Sequence, residues 1–376
     1  MPHEAAPAFA HTSGPQDARV VLVAEAWGEQ EDLAGRPMVG NAGQELTRLL
    51  AEAGIARHEC LLTNVFQFRP YQETLGPSGK PLTVKSNSLA WLCAKKAEMP
   101  KGYSLPGLRV GTTTLYVKPE FFGEVNRLRE EILAFPRHLV VALGNLACWA
   151  LLGTSGISKL RGTATLSTLC PGVKVLPTYH PSYLFNSWED RPIVLADLMK
   201  ARREAEFPEI RRPERWITVN PTLDEIAAWW RTHVEGRELD LLSIDVETGA
   251  GQIKMVGVAV SPQRALVVPF VDLSQPDGCY WPTPSDELAA WAWVERFMRH
   301  PAAKVFQNGL YDLQYLLPAP CGGRVDNCDE DTMLLHHALY PELQKGLGFL
   351  GSVYTNESSW KLLRVVQHEK AEKRDE

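Results

Sequence analysis

The carboxylate of Glu25 stands directly after the apolar run 19–24 (RVVLVA), which reads as a buried strand. In an open parallel sheet ligands bind beyond the carboxyl ends of the strands, so Glu25 occupies a binding edge. Gly28, Gly35, Gly40 and Gly43 punctuate the loop that follows, ahead of a helix. Glycines there let a ligand approach the backbone, and a helix start favours an anion such as phosphate. Asn64 ends a second apolar run. Its amide carries a donor and an acceptor and matches the N–H and C=O edge of a pyrimidine, although a turn-capping asparagine fits the same place. His180 lies just past a third run, in VKVLPTYHPSYL, held by Pro181 and Ser182; a structural histidine ahead of a proline turn is the alternative. Further along, LLSIDVET places Asp245 and Glu247 two apart on a strand, so both carboxylates share a face and can bind hard divalent cations. The flanking Leu242, Ile244 and Val246 predict a buried strand, where unpaired carboxylates are costly. Asn308 and Asp312 follow another strand one helical turn apart, and Asp312 would bring a third carboxylate to a two-metal site.

The elements that must position these groups alternate. Strands are expected at 19–24, 61–66, 138–143 and 173–177, and helices at 43–53, 124–133, 146–152 and 192–204. Such alternation implies a parallel α/β sheet. Residues 71–118, rich in Gly, Pro, Lys and Ser, read as a long surface insertion with one helix near 89–96. A disordered leader is expected over 1–18, and FPEIRRPERW (207–216) reads as a linker. The alternation then restarts with helices at 223–234, 286–298, 309–317 and 330–340, and strands at 241–246, 253–260, 265–269 and 303–306. The tail 363–376 is charged. At roughly 100–200 residues per domain, 376 residues suggest two domains, drawn at 19–206 and 217–362.

Composition narrows the function classes. The net charge of −6 divides unevenly, with 22 basic and 21 acidic residues in 1–210 against 17 and 24 in 211–376. Neither half is the strongly basic body of a non-specific nucleic-acid coat. No run of 18 apolar residues predicts a membrane span, and the start lacks a secretory pattern. Seven scattered cysteines do not make a disulfide framework, so reduced thiols and a cytoplasmic setting are expected.

AEAWGEQED, GRPMVGNAG, TNVFQFRP and YHPSYL, in this order, resemble the uracil-DNA glycosylase superfamily, nearest its family 4 and 5 members. The resemblance covers about 19–205 and implies a three-layer parallel-sheet fold and base flipping of uracil from DNA. It implies that Glu25 orients or activates the attacking water and that Asn64 reads the uracil edge. His180 would bind uracil O2 and stabilise the leaving anion. Met38 stands where an aromatic ring would stack on uracil; Ser182 would contact the DNA backbone, and Arg161, in SKLRG, would meet phosphate. Ala24 and Trp27 depart from the usual Gly and Pro. Family 4 members hold an iron–sulfur cluster, but Phe68 occupies one ligand position and no Cys precedes Cys60, so no cluster is expected and the glycosylase domain needs no cofactor. Residues 71–90 contain no His, so the covalent DNA linkage of another branch is not expected.

IDVET, QNGLYDLQYL and EDTMLLHHALYPELQKGLGFLGSVY together resemble the proofreading 3′–5′ exonuclease domain of family-A DNA polymerases, over about 216–362. That resemblance implies an RNase-H-like fold with Mg²⁺ or Mn²⁺ held by Asp245, Glu247 and Asp312; Asp331 matches a recurrent position that is not a ligand. The family's last motif, Tyr-x-x-x-Asp, is absent: Tyr340 and Tyr354 are followed four residues on by Gln344 and Ser358. Independent exonuclease activity is therefore not expected. The sequence-level reading is hydrolytic excision of uracil from DNA. The alternatives are a non-catalytic uracil or DNA sensor and a subunit of a split phage polymerase, with a DNA polymerase chain as partner.

Overall fold

The computed structural model describes residues 4–75, 81–86, 92–103, 105–110, 113–318 and 323–355. The chain divides into two compact units, one of residues 1–211 with 348–376, the other of residues 212–347.

The first unit is built on β1 (Val20–Ala26), β2 (Cys60–Phe66), β3 (Leu139–Leu143) and β4 (Lys174–Thr178). All four run parallel in the order β2-β1-β3-β4, and a two-residue antiparallel strand, Thr165–Leu166, closes the β4 edge. Every residue of β2, β3 and β4 is buried, as continuous apolar runs covered on both faces should be. Alternation along β1 sends Val21 and Val23 into one apolar cluster and Leu22 and Ala24 into another. The first cluster takes Leu128 and Ile132 of α3 (Phe122–Leu133) and Leu146 and Trp149 of α4 (Asn145–Leu152). The second takes Leu46, Leu49 and Leu50 of α2 (Asn41–Ala53), which follows the short α1 (Glu29–Ala34), and Val194 and Leu198 of α5 (Arg191–Glu204). This is the expected three-layer α/β sandwich.

Three expectations change here. The leader is ordered from Phe9 onward: the Phe9 N–H donates to Glu131 Oε1 at 3.0 Å, and Ser13 pairs with Leu62 on the outer edge of β2. An unpaired edge strand leaves backbone groups unsatisfied, and the leader covers part of this one. The insertion is not only a surface loop. Its described residues include the hairpin Tyr71–Leu75 with Pro81–Ser86 and the strands Cys93–Ala94, Leu108–Val110 and Thr113–Val117, and Leu92, Cys93, Leu108 and Val117 lie in the core. Of the helix expected near 89–96, residues 89–91 lie outside the described residues, Leu92 is helical and 93–94 are strand. Finally, 207–216 is not wholly a linker. The buried Lys174 ammonium donates to the carbonyls of Phe207 at 2.8 Å and Glu209 at 2.9 Å and to the Glu204 carboxylate at 2.7 Å.

The second unit holds β5 (Leu241–Gly249), β6 (Gln252–Ser261), β7 (Arg264–Pro269) and β8 (Ala303–Phe306). Their order is β7-β6-β5-β8, with β6 antiparallel to both neighbours and β8 parallel to β5. Short strands Trp216–Thr218 and Glu330–Asp331 extend the two edges. Helices α6 (Leu223–His233) and α7 (Pro284–Met298) pack Trp229, Trp230, Trp291 and Phe297 over the sheet. Helices α8 (Gly309–Leu316) and α9 (Thr332–Leu339) follow β8, and the expected 330–340 helix begins two residues late. The unit ends at Leu347 rather than at 362, and α10 (Leu347–Tyr354) packs with the first unit from Gly348 on. The tail 363–376 lies outside the described residues.

Candidate active site

Glu25, Asn64 and His180 arrive at the same sheet edge for the reason the strand pattern predicts: β1, β2 and β4 are parallel and end there. Asn64 stands beside Ala24 in the β1–β2 register, and Leu143 beside Thr178 in the β3–β4 register. Gly144 joins β3 to α4 with φ +92°; a Cβ there would lie 2.4 Å from Glu25 Oε1 and 3.0 Å from His180 Cβ. The acid and the imidazole thus converge on one glycine, which a side chain would push apart. Glu25 Oε1 accepts the Leu146 N–H at 3.2 Å, in the first turn of α4, where the helix end favours an anion.

His180 is half-buried. Burial pushes its pKa below the ordinary histidine value, while the carboxylates of Glu25 and Glu31 pull the other way. Ser182 fixes the ring: its N–H donates to Nδ1 at 3.3 Å and its Oγ lies 2.7 Å from the same nitrogen. With Nδ1 accepting, the proton of the neutral ring sits on Nε2 and is available to a ligand.

Asn64 is buried and its Oδ1 has no hydrogen-bond partner among the described residues; Gln67 Oε1 and Trp27 Nε1 share that condition. Buried polar atoms are almost always satisfied, so an orphan acceptor at a sheet edge marks a place for a ligand. The backbone of β2 there is gripped from α3. Arg127 Nη2 donates to the carbonyls of Asn64 at 2.7 Å and Val65 at 3.1 Å, while Glu124 and Glu131 flank its guanidinium. Thr63 Oγ1 donates to Glu131 Oε2 at 2.7 Å and Gln67 N to Glu124 Oε2 at 3.2 Å.

The glycine-rich loop is tied by one carboxylate. Glu31 Oε1 accepts from the N–H groups of Val39 at 3.0 Å and Gly40 at 2.8 Å, and Oε2 from Gly28 at 3.2 Å. Met38 lies within this loop at φ +54° and is buried in the cluster with Ala24, Leu46 and Leu176. Arg57 holds its carbonyl at 2.8 Å.

Arg161 does not stand where phosphate contact was expected. It is buried, paired with Asp197 through Nε at 2.9 Å and through Nη2, and bonded to Ser352 Oγ at 2.9 Å. A guanidinium already neutralised inside the protein is not presented to DNA. The residues missed from sequence lie beside His180: Tyr183, Phe185 and Trp188 are exposed, Trp188 at 57%. Their signal was in the text YLFNSW, three rings in six residues after a proline turn. Tyr183 is fixed by stacking on Tyr179 and by donating to Asp190 Oδ2 at 2.6 Å.

In the second unit β5 alternates: Leu242, Ile244 and Val246 point into the core while Asp245 and Glu247 share the exposed face, so the two carboxylates are not buried with their neighbours. Asp312 is buried and accepts the Val246 N–H at 2.9 Å; burial, with the Asp245 and Asp331 carboxylates, pushes it up to about 6. Asp331 caps α9 and also receives the N–H groups of Asn308 and Gly309. Asp312 thus comes to the strand that carries Asp245 and Glu247, although no group of three His, Cys, Asp or Glu among the described residues meets the geometry of a metal-ion site. Among the described cysteines, Cys60, Cys93, Cys148 and Cys170 are buried on different elements, and burial pushes their thiols up to about 11 or 12. Phe68 packs against Phe66 and Phe121. No helix among the described residues is long and apolar enough to cross a membrane.

Residues 11–205 match the family described as the uracil DNA glycosylase superfamily. A type-4 uracil-DNA glycosylase of Thermotoga maritima is 32% identical over 193 residues, which are 50% of this chain and 79% of that protein. A type-4 uracil-DNA glycosylase of Archaeoglobus fulgidus is 47% identical over 57 residues, 15% of this chain and 29% of that protein. Among solved structures, the polymerase domain of Pol1 from M. smegmatis with DNA primer-template and dNTP aligns at 18% identity and a TM-score of 0.27, over 38% of this chain and 23% of that one, too slight a likeness to carry an argument.

Proposed function

The chain belongs to the uracil DNA glycosylase superfamily, and we propose that its first unit hydrolyses the bond between uracil and deoxyribose in DNA. The observation that carries this reading is the meeting of Glu25 and His180 at Gly144. The flipped uracil presents its N3–H to the orphan Asn64 Oδ1 and its O4 to the amide N–H. Glu25, held through one oxygen by the α4 N-terminus, orients a water toward the sugar C1′. The new C1′–O bond forms as the C1′–N1 bond breaks, the electron pair leaves with uracil, and the water's surplus proton passes to the Glu25 carboxylate and from there to solvent. The His180 Nε2–H donates to uracil O2 and stabilises the anion that develops. Met38 closes the pocket floor in place of a ring, with thioether contacts worth about 0.3–1.5 kcal/mol. Ser182 orients His180 and borders the DNA backbone, and the exposed Phe185 and Trp188 fill the gap left by the flipped base. Neither a metal nor an iron–sulfur cluster enters this chemistry.

For the second unit we propose an RNase-H-like, exonuclease-derived nucleic-acid module without independent hydrolysis. The strand order and directions around β5 support the fold, and the absence of a Tyr-x-x-x-Asp motif from the given sequence supports the lack of activity. A DNA polymerase chain supplying the missing Tyr and Asp is the partner this reading admits.

One assay tests both. A labelled oligonucleotide with a single uracil is incubated with the chain in EDTA or Mg²⁺ and then treated with alkali. Alkali-dependent cleavage at uracil, unaffected by EDTA and lost in Glu25→Ala and His180→Ala, is expected. Retention of uracil by a bound, uncleaved oligonucleotide would replace the glycosylase with a sensor. Mg²⁺-dependent laddering from the 3′ end would overturn the inactive second unit.

A further inference from the structure

Behind the strand end that carries His180, three charged side chains are buried together: Arg161, Asp197 and Lys200. Asp197 binds Arg161 and also accepts from Thr178 Oγ1 at 2.8 Å. Thr178 is the last residue of β4, two before His180. On its other side the cluster holds the end of α10. Arg161 Nη1 donates to Ser352 Oγ at 2.9 Å, and its guanidinium lies 6.0 Å from the Phe349 ring. The Lys200 ammonium donates to the carbonyls of Gly162 at 3.1 Å, Thr355 at 2.5 Å and Ser352. The last carbonyls of a helix lack partners within it, and a cation there satisfies them and meets the negative end of the helix dipole. Gly162, at φ +72°, permits the approach: a Cβ would lie 2.6 Å from Asp197 Oδ1 and 2.7 Å from Ser352 O. None of these residues is needed for the excision chemistry itself.

We propose that residues 348–355 are a clasp belonging to the glycosylase, delivered by the chain after it has run through the second unit, which seats on Arg161, Asp197 and Lys200 and thereby positions His180. Without the clasp, Lys200 loses two of its three carbonyl acceptors and Arg161 loses Ser352, and buried cations do not tolerate such losses. The cluster would rearrange, and Asp197 would no longer hold Thr178 in place. Burial pushes Lys200 down to about 8, so in mildly alkaline buffer its amine is protected by the clasp rather than by its proton.

The inference rests on His180 being catalytic, and the test separates the two claims. The intact chain, a chain ending at Leu347, and the full-length variants Val353→Pro and Val353→Ala are compared. Proline inside α10 breaks the helix, and alanine keeps it. Acetic anhydride labelling of Lys200, read by mass spectrometry against the exposed Lys159, reports the clasp, and steady-state excision reports the site. Expected are a protected Lys200 in the intact chain and in Val353→Ala, and a reactive one in the other two, with kcat lowered about tenfold or more and KM little changed. Equal labelling in all four overturns the clasp. A freed Lys200 with unchanged kcat overturns the positioning of His180. Absence of excision from the intact chain would sink the glycosylase reading and the positioning role with it, while the labelling would still decide whether the clasp exists.

Discussion

The Asn64 Oδ1 is buried with no hydrogen-bond partner among the described residues, and in the proposed reading uracil supplies it. A site built to hydrogen-bond a substrate rejects analogues strongly, since its own polar groups would be stranded. Asn64→Leu keeps the size and removes both partners, so kcat/KM for uracil excision is expected to fall by about 10²-fold or more. A loss of only a few-fold in single-turnover kinetics would remove Asn64 from base recognition. His180 gives a pH signature. Its pKa is lowered by burial, so the neutral, donating ring persists to lower pH than an ordinary histidine, with its value of about 6.5, would allow. The acid limb of kcat/KM assigned to His180, by its loss in His180→Gln, is expected below that value; a limb at or above it would contradict the lowered pKa of this half-buried ring. By the same linkage the unfolded chain takes up this proton first, so stability declines as pH falls from the unfolded pKa toward the folded one. At this scale the sequence exposed residue types well and surroundings poorly. Glu25, Asn64 and His180 were legible because each follows an apolar run. Arg161 was misplaced because a cation in a glycine-flanked loop looks the same whether it meets a phosphate or the distant Asp197.

The second strand of the first sheet has only one strand neighbour, and the way its free edge is covered carries an energetic consequence. Ser13 pairs with Leu62, and farther along Arg127 satisfies the carbonyls of Asn64 and Val65. Arg127→Met strands those carbonyls and the buried Glu124 and Glu131, so urea unfolding of the first unit is expected to show a loss of about 3–5 kcal/mol. The surface pair Arg299–Glu295 is the control, and Arg299→Met should cost less than about 1 kcal/mol. Similar losses for both would mean that the α3 network is not what holds β2. Strands and helices of the sandwich were readable to within a residue or two, because fully buried parallel strands are written as unbroken apolar runs. The insertion and the leader were not. Short strands such as Cys93–Ala94 and Thr113–Val117 carry too few residues for a period, and the leader is ordered by single long-range bonds that no local pattern announces.

At the level of the whole molecule, the buried, separated cysteines predict that the purified chain holds no stoichiometric iron and no visible absorption of a cluster, measured by elemental analysis and spectroscopy. About four irons per chain would overturn this. The division into two units was legible from the restart of alternation after FPEIRRPERW, but not the return of the chain to the first unit, which depends on Lys200 and Ser352, 152 positions apart. That separation has a temporal meaning. A chain made from its N-terminus at roughly 5–20 residues per second needs about 8–30 s between the emergence of these two residues. Throughout that interval the nascent glycosylase has its strands and helices but not the last piece of its own packing. With residues 348–355 as the proposed clasp, synthesis of the second unit acts as a timer: the ribosome completes it before the first unit receives its last contacts, and a message broken anywhere before the codon for Ser352 would leave the clasp unmade.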